Sequence, residues 1–183
     1  MVSTNLIVVI AAAVIVLFVV YLYNGFIRLR MRATNAWSQI DVQLKRRYDL
    51  IPNLVEAVKG YMKHEKSVLE NVTKARAALV SGGMEEKAKA SNQITQALKS
   101  IFSVAESYPQ LKANENFLQL QEELSGTESK IAYARQFYND SVMAYNEALQ
   151  VFPGNLLAKL FSFTAKEFFA VEGKEKESVK VSF

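Results

Sequence analysis

The chain has 183 residues, 50% of them hydrophobic, and a formal net charge of +4. It contains no cysteine, which excludes disulfides, thiolate metal sites and catalytic thiols. Few prolines and glycines, with abundant Ala, Leu, Glu, Lys and Gln, predict an all-α protein. The basic excess is concentrated between residues 28 and 47, directly after an apolar run, so we predict a topology signal and no nucleic-acid binding.

The first element is the apolar run from Leu6 to Tyr23, which holds no charged residue, proline or glycine. A helix of this length spans about 27 Å, close to the hydrocarbon thickness of a bilayer. We predict an uncleaved transmembrane anchor over 6–24, because 1–5 lack basic residues and no small-residue cleavage site follows. A signal peptide or a buried core helix is the alternative. The predicted anchor residues are Leu6, Ile10, Val14, Leu17, Tyr21 and Tyr23.

The topology signal consists of Arg28, Arg30 and Arg32, which follow the anchor at once. Basic residues favour the cytoplasmic side of a membrane. The sequence therefore predicts residues 1–5 outside a cell (inner) membrane and the C-terminal domain in the cytoplasm.

Apolar residues then recur at helical spacing, which predicts an antiparallel four-helix bundle over 25–152 with long coiled-coil-like helices. Pro52 marks either a turn, which we favour, or a kink in one long helix. A heptad with alternating large and small residues runs from Phe117 to Phe152. We expect the basic first helix and the acidic fourth helix to be neighbours or to face each other across the bundle. The predicted helices cover about 26–51, 53–80, 84–107 and 111–151.

Residues 153–172 form a short, Phe-rich amphipathic segment that is too short and too charged to span a bilayer. Counting helices away from the membrane and back brings this segment to the bilayer. Leu160, Phe161 and Phe163 are predicted to lie in the interface or, as we favour, to cover that end of the bundle. Residues 173–183 are predicted to form a flexible tail. The alternative is that its apolar end binds the edge of a partner's sheet.

The sequence predicts no catalytic, cofactor or metal site. His64 is the only histidine, so neither a di-iron bundle nor a His-Glu-x-x-His zinc site can form. The chain also lacks a Gly-x-Ser-x-Gly elbow and a Gly-rich phosphate loop. We expect no enzymatic activity, no cofactor and no small-molecule substrate.

Two polar groups interrupt the apolar pattern. Around the proline we predict a buried polar clamp, in which Asp49 caps a helix or pairs with an arginine; a partner or oligomer contact is the alternative. On the fourth helix two Tyr-Asn pairs share one face, as core tyrosines with polar neighbours or as a docking groove. These structural or interaction residues are Arg46, Arg47, Tyr48, Asp49, Pro52 and Asn53, and Arg135, Tyr138, Asn139, Tyr145 and Asn146.

The run AWSQIDVQLKRRYDLIPNLVEAVKGY, Ala36–Tyr61, resembles the signature of the LemA family of bacterial membrane-anchored proteins. Arg135, both Tyr-Asn pairs and the FPGNLLAKLFSF segment from Phe152 extend the resemblance over nearly the whole chain. It implies one membrane helix and a cytoplasmic antiparallel helical bundle, and it brings no catalytic residues. The resemblance also implies relatives that are encoded near membrane zinc proteases or near membrane-anchored proteins of unknown role, and one branch of the family resembles proteins of the magnetosome membrane.

The functional prediction is a non-enzymatic, membrane-anchored adaptor or scaffold for membrane-associated proteins. Its expected partners are the lipid bilayer, other membrane proteins, a membrane protease or its neighbours among them, and further copies of itself in a homo-oligomer. The alternative is a self-assembling protein that organises or shapes the membrane.

Overall fold

The computed structural model describes residues 3–62 and 65–169, and these form six helices and no strand. His64 and the predicted tail lie outside the described residues. The all-α prediction is confirmed. The helices are α1 (Thr4–Lys59), α2 (Lys66–Ser81), α3 (Met84–Ala105), α4 (Pro109–Lys112), α5 (Glu115–Gln150) and α6 (Gly154–Leu160).

Helix α1 continues through Pro52, so the turn that we favoured there is wrong. A proline has no N–H to donate to the carbonyl four residues earlier, which here belongs to Tyr48. Arg76 Nε, from α2, donates to this carbonyl oxygen at 3.0 Å. The Tyr48 carbonyl therefore has a hydrogen-bond donor despite the proline, and α1 ends only at Lys59.

The N-terminal part of α1 has the length and apolar composition of a membrane span. Among the described residues α1 is the one helix that meets this criterion, and its apolar window is 0% buried. Such exposure does not fit the alternative of a buried core helix, whose apolar side chains would be covered.

The described chain divides into two compact units, and α1 and α5 contribute residues to both. One unit comprises 3–37 and 136–168, and the other comprises 38–62, 65–135 and 169. The core of the first unit includes a cluster of Phe26, Tyr145, Leu149 and Ala158, with Leu29, Ala148, Leu157 and Phe163 packed against it.

The second unit buries the apolar faces of α2 and α3 and the parts of α1 and α5 that belong to it. Helices α2 and α3 pack against each other and are joined by a short loop at Gly82-Gly83. The largest fully buried apolar side chains of the second unit include Ile40, Ile51, Leu54, Met62, Ile94, Ile101, Leu111 and Phe117.

The predicted heptad is buried along most of α5. Leu120, Ala134 and Ala148 are half-buried, and Phe152 is 78% exposed because it lies beyond the end of α5 at Gln150. Pro153 explains this end: the residue before a proline is disfavoured in helical conformation, and proline itself donates no helical hydrogen bond. The buried heptad residues are Phe117, Leu124, Thr127, Ile131, Tyr138, Ser141 and Tyr145.

Candidate functional site

The polar motif in the middle of α1 has a fully buried arginine, Arg47. Its Nη1 donates to the carbonyl oxygen and the Oγ of Ser91, at 3.2 and 3.3 Å, and to Thr95 Oγ1 at 3.2 Å. The other Nη forms an ion pair with Glu128. Burial, followed by the charge of Arg135, lowers the pKa of Arg47 to about 10, so the guanidinium is still protonated at neutral pH.

A polar network extends from Arg47 to α3 and α5. The Thr95 hydroxyl donates to the Glu128 carboxylate at 3.0 Å, and Arg135 Nη2 donates to Ser91 Oγ at 2.7 Å. A buried charge requires this degree of pairing, because an unpaired one is strongly unfavourable. The network therefore joins three helices of the second unit as a structural clamp.

The neighbouring polar residues of α1 form exposed pairs instead. Arg46 Nη2 lies 3.5 Å from Glu123 Oε2, which brings basic α1 beside acidic α5 as predicted. Asp49 lies inside α1 and pairs with Lys45 at 2.6 Å, so its predicted role as a cap or an arginine partner is wrong. Asn53 is exposed. Exposed ion pairs contribute little stability, which leaves Arg47 as the principal polar residue of this motif.

The two tyrosines of the second predicted group, on α5, bind the chain's own backbone. Tyr138 donates its hydroxyl to the carbonyl of Glu167 at 2.9 Å, and Tyr145 donates to that of Thr164 at 3.1 Å. Burial raises the pKa of Tyr138, and the negative charge of Glu167 raises it further. Both hydroxyls therefore hold residues that follow α6.

Asn146 binds the same stretch through both backbone groups of Lys166. Its Nδ2 donates to the Lys166 carbonyl at 2.9 Å, and its Oδ1 accepts from the Lys166 N–H at 2.8 Å. Asn139 is half-buried on the same helix. The surface that we considered as a docking groove is thus occupied by the protein's own residues 164–167, which we call the strap.

The Phe-rich residues before the strap contact the end of the predicted anchor. The Tyr23 ring meets those of Phe161 and Phe163 edge to face, with centroids 5.1 and 5.5 Å apart. Phe163 also packs on Phe26 at 5.3 Å. The side chain of Leu160, in contrast to these aromatic rings, is 73% exposed.

The second unit also contains an open groove of about 870 Å³ between the end of α1 and α2. Its apolar lining includes Val55, Met62 and Leu69, of which only Met62 is buried. Exposed Lys59, Lys66, Glu70 and Lys74 line it too, so the charged lining is mainly basic. We call this surface the basic groove.

The sequence of this helical chain matches a known protein family. The model of the LemA family matches residues 36–183, most of the chain. The protein belongs to the LemA family. This membership confirms the resemblance that the motifs of α1 and α5 indicate.

Two kinds of relative resemble this LemA-family chain. Protein LemA of Metamycoplasma hominis is 25% identical over 161 residues, which cover 87% of the chain and 74% of the relative. Magnetosome protein MamQ of Magnetospirillum gryphiswaldense is 24% identical over 174 residues, covering 80% of the chain and 64% of MamQ. The two MamQ proteins of Paramagnetospirillum magneticum give the same identity and coverage.

The family description and the names of these relatives specify no reaction. Within residues 3–62 and 65–169, no group of three or more His, Asp or Glu residues is placed to hold a metal ion. Sequence reasoning missed Ser91, Thr95 and Arg76 as partners of the α1 motif. Ser91 and Thr95 carry a weak signal, because polar residues spaced by four interrupt the apolar face of α3.

Proposed function

We propose that this LemA-family protein is a non-enzymatic, single-pass membrane adaptor that binds an acidic amphipathic helix of a partner protein. The observation that carries the proposal is the basic groove. Half-buried Val55 and Leu69 and buried Met62 give the open groove an apolar floor that suits the apolar face of a helix, and helix-in-groove binding is a recurrent mode of recognition. Lys59, Lys66 and Lys74 outnumber Glu70 in the lining, which favours acidic residues beside that apolar face.

A partner other than a second copy suits this charge pattern. The acidic helix of this protein, α5, already buries its apolar seam, including Leu124 and Ile131. Self-assembly is the competing function, and it predicts that a second copy occupies the basic groove.

The orientation of the adaptor follows from the charges beside the anchor. The positive-inside rule favours a cytoplasmic position for the helical domain, because Arg28, Arg30 and Arg32 follow the apolar run at once. A reporter fused after Phe183 should be active only in the cytoplasm, and activity on the other side of the membrane would contradict this orientation.

The partner is tested by photo-crosslinking of the full chain in intact membranes. A benzophenone amino acid at Thr73, in the basic groove, is compared with the same probe at Ser129, an exposed residue of α5 that does not line it. We expect the Thr73 adduct to contain a partner peptide that is acidic and carries apolar residues at helical spacing. An adduct with a second copy or with lipid would contradict the proposal, as would equal labelling from Ser129.

Charge reversal supplies the matched control. Replacing Lys59, Lys66 and Lys74 together by Glu should abolish the Thr73 adduct, because like charges then repel an acidic partner. Replacing Lys99, Lys112 and Lys130 by Glu makes the same change in net charge at exposed positions outside the groove. Retention of the adduct in the first variant, or equal loss in both, would show that the groove charges do not select the partner.

A further inference from the structure

Helix α6 and the turn before it present apolar side chains away from the core of their unit. Phe152 is 78% exposed, Leu156 59% and Leu160 73%, while Ala158 on the inner face is buried. A helix on the surface of a water-soluble domain places polar residues on its outer face. Here Lys159 is the only charged residue between 148 and 165.

The end of the anchor lies directly beside this apolar surface. Tyr23 closes the apolar run of α1, where an aromatic residue sits at the level of the lipid headgroups. Its ring contacts Phe161, the residue that follows α6, with centroids 5.1 Å apart. The outward face of α6 is therefore continuous with the surface that the anchor presents to lipid.

The segment is fastened in this position from both sides. At its start, Gly154 is buried against Phe26, which belongs to the core of the unit. At its end, the strap is bound by Tyr145 and Asn146. The exposure of Leu156 and Leu160 thus belongs to a segment that is held in place, and the position of that segment fixes which surface can cover it.

We propose that α6 is a second membrane contact, which inserts Phe152, Leu156 and Leu160 into the leaflet that surrounds the end of the anchor. The occupant of this apolar face is the lipid bilayer. Interfacial helices bury an apolar face at the boundary between headgroups and acyl chains, and basic residues beside that face reach the headgroups. Lys159 is exposed and placed for that role. This second contact rests on the proposed membrane anchor, and it needs neither the basic groove nor its partner.

The absence of cysteine from the chain makes a site-specific test direct. We would label Leu160→Cys with a polarity-sensitive fluorophore in the full chain, reconstituted at one copy per nanodisc of zwitterionic and anionic phospholipid. Met143→Cys is the matched control, because Met143 is also an exposed apolar residue of this unit, at 56%, but lies on α5. We expect quenching by nitroxide lipids to place the label at 160 about 5–10 Å into the boundary region. The label at 143 should respond to an aqueous quencher alone.

Equal accessibility of both labels to the aqueous quencher would overturn the proposal. Protection of the label at 160 that requires several copies per disc, without quenching from lipid, would assign the surface to a second copy and would also overturn it. A second variant tests whether the apolar side chains of α6 cause the insertion. In Leu156→Asp/Leu160→Asp, a label at Phe152→Cys should lose most of its lipid quenching. Emission from Trp37, which packs against Tyr138 in the same unit, reports that the unit stays folded. Undiminished quenching in this folded variant would contradict insertion.

Discussion

The guanidinium of Arg76 takes the place of the N–H that Pro52 lacks. Arg76 Nε donates to the Tyr48 carbonyl at 3.0 Å, and the guanidinium carbon Cζ lies 3.7 Å from the centroid of the Tyr48 ring. A side chain of α2 thus supplies both a hydrogen bond and a cation–π contact at the proline of α1. The contact explains how an uninterrupted helix passes through a residue that usually ends one.

A double-mutant cycle tests this replacement. Arg76→Ala should lower the free energy of unfolding by about 1–3 kcal/mol, because a partly buried carbonyl loses its donor. In a Pro52→Ala background residue 52 regains an N–H, so the same substitution should be less damaging by about 1 kcal/mol. The loss of the cation–π contact is common to both backgrounds. Denaturant titrations of the four proteins in detergent give the coupling, and strictly additive effects would contradict it.

The heptad of α5 predicts a second effect on stability. Leu124→Ala or Ile131→Ala should lower the free energy of unfolding by about 2–5 kcal/mol, since both side chains are at most 1% exposed. Leu118→Ala is the control on the same helix, because Leu118 is 46% exposed and should cost about 0.5 kcal/mol or less. Equal effects at the three positions in denaturant titrations would show that the seam is assigned wrongly.

The sequence predicted the helices well because the apolar residues repeat with the period of the backbone. Each helix must bury one face, and the local spacing of apolar residues such as Ile94, Leu98 and Ile101 indicates which face that is. The passage of α1 through Pro52 was not predictable in this way. The donor that makes it favourable, Arg76, lies on another helix, and no local pattern connects the two residues.

For the polar contacts, the sequence indicated one partner of each contact but not the other. The Tyr-Asn pairs of α5 stood out as polar groups on a buried face, yet their partners are backbone atoms of Thr164, Lys166 and Glu167. Backbone groups carry no identity in a sequence, so the strap left no signal there. Arg47 was likewise singled out, but its burial depends on Ser91 and Glu128, which the fold brings together from α3 and α5.

The raised pKa of Tyr138 predicts a pH dependence of the first unit. Burial and the charge of Glu167 raise the pKa in the folded state. The stabilising contribution of the protonated phenol is therefore complete below the unfolded pKa of about 10, and it is lost as pH rises through the folded pKa. In Tyr138→Phe, which cannot ionise, the free energy of unfolding should fall less steeply above a pH of about 10.

Trp37 supplies the measurement, because its ring centroid lies 5.6 Å from that of Tyr138 and it is the only tryptophan. Its emission should report the alkaline transition in the unchanged protein and a weaker transition in Tyr138→Phe. Tyr133→Phe removes a phenol that is 74% exposed and should leave the transition unchanged. A transition that is identical in all three proteins would contradict the role of Tyr138.

The last prediction concerns Gly154, where α6 approaches the end of α5. A Cβ atom at this position would lie 2.4 Å from the Ala148 carbonyl oxygen and 3.2 Å from the Phe26 ring. Backbone cannot yield as a flexible side chain does, so Gly154→Ala should displace α6 and lower stability by about 1–3 kcal/mol, as overpacking of a core does. Gly126→Ala is the matched control, because nothing lies within 4 Å of its Cβ position inside α5. That change should raise stability by about 0.5–1 kcal/mol, since alanine loses less conformational entropy in a helix than glycine does. Hydrogen exchange separates a local from a global effect: in Gly154→Ala the amides of α6 and the strap should lose protection, whereas α3 should keep it. Unchanged protection of α6 in that variant would show that the close approach at Gly154 does not hold the segment in place.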